Sequence, residues 1–173
     1  PWDAYAEDQL GLLDHLGVKQ FHIMGFCIGN PFIWNLVTRV PERIQSMVSA
    51  QPSGSDPKDP NRAYTENLRK WAPGAVQRVP GATLELVDRY LKNLYDGRDF
   101  VYTASREFVR HCHTPLLVLP DQTVAHPYVT AMEMVHTAPN SQVSLYPWKD
   151  KPENIRLALR HIKTFLKANT PRA

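Results

Sequence analysis

A single cysteine stands between two glycines in Gly25-Phe26-Cys27-Ile28-Gly29. A short apolar run (Phe21, Ile23, Met24) precedes it, and a helix-period segment (Ile28, Phe32, Ile33, Leu36, Val37, Val40) follows. A strand that enters a tight Gly-x-Cys-x-Gly turn and leaves as a helix has the layout of a nucleophile elbow, with a thiol as the attacking group. Small residues two before and two after let strand and helix approach, so the central side chain projects alone from a strained turn. It sits at a helix N-terminus, where the dipole favours negative charge on sulfur and so a more nucleophilic Cys27. The competing reading is a buried structural cysteine beside two unconnected glycines.

The elements around this turn alternate. Ala6, Leu10, Leu13 and Leu16 recur at helical spacing over residues 3–16, with Asp3 as the expected N-cap and Gly17 as the stop. A strand at about 19–25 leads into the turn, and the next helix ends near Pro41. Ile44 to Ala50 reads as a buried strand, and the Asp/Pro/Asn-rich stretch from Ser55 to Arg62 as a linker. From Ala63 to Cys112 amphipathic helices take over, clearest at Leu84, Val87, Leu91 and Leu94. Pro115 to Leu119 is a buried strand, Tyr128, Met132 and Val135 mark a helix face, and a short strand is expected near Val143 to Tyr146. The last helix carries Ile155, Leu159, Ile162 and Leu166 at helical spacing. Strands alternating with helices predict a parallel sheet covered on both faces, with the middle helices inserted over it.

Composition narrows the function classes. The chain has 173 residues, 43% of them hydrophobic, enough for one ordinary domain or a large piece of a bigger one. No apolar run approaches a membrane span. The net charge of +3 is dispersed among acids, which argues against nucleic acid as a partner. No glycine-rich phosphate loop occurs, and the two cysteines and seven histidines form no metal-ligand spacing, so neither metal nor cofactor is expected. Two free thiols without a signal peptide point to a reducing cytoplasm. The first residue is Pro1, not Met, which suggests a start inside a longer gene product.

The order of parts resembles the α/β-hydrolase fold. Asp8-x-x-x-Leu12-Leu13-Asp14-x-Leu16-Gly17-Val18, a strand and the Gly-x-nucleophile-x-Gly turn are similar to that family's approach to its elbow, and Pro41-Glu42-Arg43-Ile44 to its lead into the next strand. The cysteine nucleophile resembles dienelactone hydrolases. The resemblance implies a hydrolase core at 1–56 and 113–173, a helical cap at 57–112, and the Ile28 amide as an oxyanion donor. It also implies several strands before the opening helix, which the sequence does not contain. The family's acid would follow Leu119, in Pro120-Asp121-Gln122-Thr123-Val124-Ala125-His126-Pro127, where Gln122 or Thr123 falls nearest the expected position and Asp121 is offset. The family's histidine would lie in Tyr146-Pro147-Trp148-Lys149-Asp150-Lys151-Pro152-Glu153, which has none.

Because the acid loop lines the same edge of the family's site, His126 is the best substitute base and Asp121 its orienting partner. Against this, His126 also reads as a helix-start residue bonded to backbone. His111 and His113 end the cap, where they could face the cleft, while His15, His22, His136 and His161 fall on elements away from it. Trp71, Tyr90, Leu94, Tyr95, Phe100 and Tyr102 offer an acyl or aromatic pocket, or simply the core of the cap. The reading is a hydrolase of ester, thioester or lactone carbonyls acting through Cys27. The alternative is a non-catalytic homologue that keeps the pocket for a ligand or partner. Without strands ahead of it, the strand at 19–25 becomes a sheet edge, so self-association or binding of a missing N-terminal half is expected there.

Overall fold

The computed structural model describes residues 1–95, 99 and 101–171. Four parallel strands form one sheet in the order β1-β2-β3-β4: β1 (Phe21–Phe26), β2 (Ile44–Ala50), β3 (Leu116–Leu119) and β4 (Ser141–Val143). β3 is wholly apolar, and β2 is buried along almost its whole length, Ser46 and Ser49 included, because a parallel strand in mid-sheet is covered on both faces. Alternate side chains then serve opposite layers. Met47, Leu116 and Val118 pack with Ile33, Trp34 and Val37 of α2 (Gly29–Arg39) and with Ala131 and Met134 of α7 (Tyr128–Thr137). Val48, Ala50, Leu117 and Leu119 pack with Ala158, Ile162 and Phe165 of α8 (Pro152–Ala168). Trp34 is fully buried, and its indole N–H has no acceptor among the described residues.

α1 (Trp2–His15) lies against α2, with Ala6 buried in the same core. Its N-cap is Pro1 rather than Asp3; the Asp3 carboxylate instead pairs with Arg39 at 2.7 Å. Gly17 stops the helix as expected, at φ 69°, its N–H donating to the Asp14 carbonyl.

Between β2 and β3 the described residues are helical: α3 (Arg62–Lys70), α4 (Ala72–Arg78), α5 (Leu84–Tyr95) and α6 (Arg106–His111). Ala72, Ala75, Val87 and Leu91 give α4 and α5 a small core of their own, while Leu84 is exposed. Phe100, named above as a pocket aromatic, lies outside the described residues. Two further expectations shift. β4 ends at Val143 rather than running on to Tyr146, because its register follows β3, Leu116 opposite Ser141 and Val118 opposite Val143. The buried face of α8 is Ala158, Ile162 and Phe165; Ile155 and Leu159 face outwards.

Candidate active site

Cys27 lies between β1 and α2 with φ 52°, in the left-handed region that a side chain with a Cβ enters at a cost of about 1–3 kcal/mol. The turn is tight because Ile28 is already helical, at φ −61° and ψ −17°. A methyl group on Gly25 would collide with the Gly29 carbonyl, so β1 and α2 approach this closely only with glycine there. At Gly29 a methyl group would meet nothing within 4 Å. The expected need for small residues on both sides thus holds at Gly25 and fails at Gly29, whose backbone, not its missing side chain, makes the contact.

Hydrogen bonds fasten this turn to the end of β2. The Cys27 N–H donates to the Ala50 carbonyl at 3.1 Å, and the Ser53 N–H donates to the Cys27 carbonyl at 3.2 Å. The fully buried Asn30 bridges the two segments: its amide donates to the Ser53 carbonyl at 3.1 Å and accepts from the Ser49 hydroxyl at 2.6 Å. The Cys27 sulfur lies 3.4 Å from Ser53 Oγ, and no hydrogen bond joins it to a histidine among the described residues. Ser49, Ser53 and Asn30 were not singled out from sequence, where small polar residues near a turn carry no distinguishing pattern.

The loop after β3 carries the other two candidate residues, Asp121 and His126. Asp121 is buried at 6% exposure, and its Oδ2 lies 3.0 Å from Nδ1 of His126. The same imidazole nitrogen lies 3.0 Å from Thr123 Oγ1. Nε2 of His126 is buried and has no hydrogen-bond partner among the described residues. An ionised carboxylate only accepts, so Nδ1 carries a proton, and in the neutral imidazole Nε2 then presents the lone pair. Burial pushes the Asp121 carboxyl up, but hydrogen bonds from Lys149, the Gln122 amide and the His126 ring together bring it below its ordinary value. Gln122 and Thr123, nearest the family's expected acid position, have other tasks: Gln122 Oε1 accepts from the Tyr128 N–H at 3.1 Å, and Thr123 braces His126.

A cavity of about 530 Å³ lies between the thiol turn and this loop; Asp121 and His126 themselves are not among the residues that line it. Cys27, Ile28, Ser53 and Gly54 line it on the sheet side, Val124, Ala125 and Pro127 from the loop that carries His126, and Trp71, Tyr90, Leu94, Tyr95 and Tyr102 from the helical segment. Ile28 belongs to the start of α2, where the first amides of a helix have no intrahelical partner and point at an incoming anion. Its cations are already engaged, Arg62 with Asp59 and Lys70 with Glu66, leaving the interior to aromatic and aliphatic groups. Burial, and after it the electrostatic influence of Cys27, raise the Tyr95 phenol above its usual value. Tyr102, at φ 63°, packs edge-on against Tyr95 with ring centroids 5.4 Å apart.

The remaining histidines are elsewhere. His111 and His113 do not face this cavity; they line a separate hollow with Cys112 and Pro115, and His111 bonds the Glu107 carbonyl at 3.0 Å. His22 bridges Ser46 and Thr170, and His161 lies between Ser144 and Gln142. No group of three His, Cys, Asp or Glu side chains suited to a metal ion occurs among the described residues. None of the described helices is long and apolar enough to cross a membrane.

A strand ending in a strained thiol turn, the buried strand beside it and an acid-bearing loop after the next strand are the parts of a known fold. The chain matches the family model for the alpha/beta hydrolase fold over residues 2–112 and belongs to that family. Solved structures with the same fold include a meta-cleavage product hydrolase from Pseudomonas fluorescens IP01, 17% identical, with TM-score 0.64 over 98% of this chain and 72% of that one. Rv0554 from Mycobacterium tuberculosis is similar over 96% of this chain and 72% of its own, at 15% identity and TM-score 0.62. A thermophilic esterase from Thermogutta terrifontis is similar over 95% and 72%, at 18% identity and TM-score 0.57. None of the curated proteins matches the chain.

Proposed function

We propose that this protein is a hydrolase of ester, thioester or lactone carbonyls that uses Cys27 as nucleophile, His126 as base and Asp121 to orient the imidazole. The observation that supports it most is the buried Nε2 of an aspartate-held histidine with no partner among the described residues, on a loop that walls the cavity lined by Cys27. In this reading α3–α6 are the cap over the core, and their aromatic side chains favour a neutral acyl group of aromatic or aliphatic character. The two unpaired thiols fit a reducing compartment such as the cytoplasm.

His126 takes the proton from the Cys27 thiol, and the sulfur attacks the carbonyl carbon. The carbonyl π electrons move to oxygen, where the Ile28 amide stabilises the charge. Collapse breaks the bond to the leaving alcohol or thiol, which receives the proton from His126, and a thioester to Cys27 remains. Water, deprotonated by His126, then attacks that thioester and frees the acid. A second reading, a non-catalytic homologue that binds a ligand in the cavity, draws on the Cys27–Ser53 contact and the absent sulfur–imidazole bond.

Alkylation by iodoacetamide near neutral pH separates the two. The hydrolase reading expects Cys27 to react at least about tenfold faster than Cys112, and His126→Gln to remove most of that advantage, since a positioned base contributes about 100-fold or more. Equal rates at the two cysteines, or a His126→Gln variant as reactive as the wild type, would leave the binding reading standing.

A further inference from the structure

The loop before α8, where the hydrolase resemblance implied a histidine, brings a lysine to the site instead. Lys149 Nζ donates to Asp121 Oδ2 at 2.6 Å and to Gln51 Oε1 at 2.9 Å. Oδ2 is also the oxygen that faces His126 Nδ1 at 3.0 Å, so an ammonium and an imidazole share one carboxylate atom. The surroundings hold this arrangement in place. The Trp148 indole N–H donates to the Pro120 carbonyl at 2.9 Å, beside Asp121. Gln51, at φ 40°, donates its own N–H to the Leu119 carbonyl at 2.7 Å. Lys149 therefore bridges the ends of β2 and β3 from a third loop.

We propose that Lys149 is a positioning residue of the Asp121–His126 pair: it keeps the Asp121 carboxylate ionised and so fixes which imidazole nitrogen holds the proton. The proposal rests on the assignment of His126 as base. A buried carboxyl with no cation beside it drifts towards its protonated form. Once protonated, Asp121 would donate to Nδ1 instead of accepting from it, the imidazole proton would move to Nε2, and the lone pair needed for the thiol proton would be lost. The titratable groups bearing on Asp121 are Lys149 from the loop before α8 and His126 from its own loop; Gln51 on β2's end and Thr123 are neutral. The carboxyl is held low with Lys149 in place. Its ionised form therefore adds stability above the ordinary carboxylate range, and that contribution is lost as pH falls through the folded value. Without Lys149 the loss comes at a higher pH.

The test follows the Asp121 side-chain carbon by NMR through an acid titration, in the 173-residue chain and in Lys149→Met and Lys149→Arg. In parallel, the ratio of Cys27 to Cys112 alkylation is measured near neutral pH. Lys149→Met should move the Asp121 titration upwards. Near neutral pH, where an imidazole can accept a proton, the Lys149→Met alkylation ratio should fall about tenfold below wild type, within the loss that misplacing a catalytic group causes. Lys149→Arg, which restores a cation, should reverse both changes. Lys149 is 40% exposed, so its truncation opens no core, and Lys149→Gln provides a neutral polar variant should methionine disturb folding. An Asp121 that titrates at the wild-type pH in the neutral variants overturns the proposal, as does a shift that arginine does not reverse. If Cys27 proves no more reactive than Cys112 in the wild type, the hydrolase reading fails, while the Asp121 titration still judges Lys149.

Discussion

At Gly25 the backbone of β1 runs so close to the first turn of α2 that any side chain would strike the Gly29 carbonyl. Gly29 itself faces open space at its Cβ position and does not have a positive φ. The two glycines of the turn should therefore respond oppositely to alanine. Gly25→Ala should cost about 1–3 kcal/mol, the usual range for forcing extra atoms into packed structure. Gly29→Ala should be neutral or stabilise by up to about 1 kcal/mol, through the smaller conformational freedom of the unfolded chain. Urea unfolding of the two variants measures both, and the alkylation rate of Cys27 should fall only in the first. The strain at Cys27 and the collision at Gly25 are local consequences of five consecutive residues, which is why the thiol turn could be read from sequence at all. Nothing local links Lys149 to Asp121, 28 positions away. Their meeting depends on how three strands end, so the sequence reading saw only that a histidine was missing from that loop.

The elements divide in the same way. β2 has the expected bounds because it is confined between a 3-10 turn at Pro41–Arg43 and the left-handed Gln51, with Ile44, Met47 and Val48 marking it as buried. β4 was misplaced because three residues of mixed polarity take their register from β3, which no periodicity encodes. The spacing of Ile155, Leu159, Ile162 and Leu166 identifies α8 as a helix, but only Ile162 and Leu166 of these pack on the sheet. Its large aliphatics lie on more than one side, and the sheet accepts the side where Ala158 allows close approach, with Ile162 and Phe165 flanking it. Phe165→Ala should therefore lower stability by about 3–5 kcal/mol, whereas Leu159→Gln, at a position half exposed, should stay within about 0.5 kcal/mol of wild type. Equal losses in chemical denaturation would mean that the helix is rotated from the orientation described.

On the scale of the whole molecule, β1 is both the strand that delivers Cys27 and the margin of the sheet. One of its edges pairs with β2, while the other has no strand beside it among the described residues, and Met24 and Phe26 are exposed along it. A bare apolar edge of six residues invites another strand, and natural proteins usually blunt such edges with charge. Association that grows with concentration is the expected behaviour in sedimentation, and Met24→Lys should weaken it; a monomer at every concentration would argue against pairing through β1.

Trp34 gives the molecule an optical reporter. Of the four tryptophans, it alone is completely enclosed, and its N–H finds no acceptor among the described residues. An indole in so dry a setting emits at short wavelength, and water reaching it would shift the emission to the red. Because Trp34 sits on α2 about one and a half turns beyond the thiol turn, at the 3.6 residues per turn of an α-helix, its colour registers whether the core that holds α2 against the sheet is closed. The packing that anchors the helix behind Cys27 can then be watched with light alone, without a substrate and without touching the sulfur.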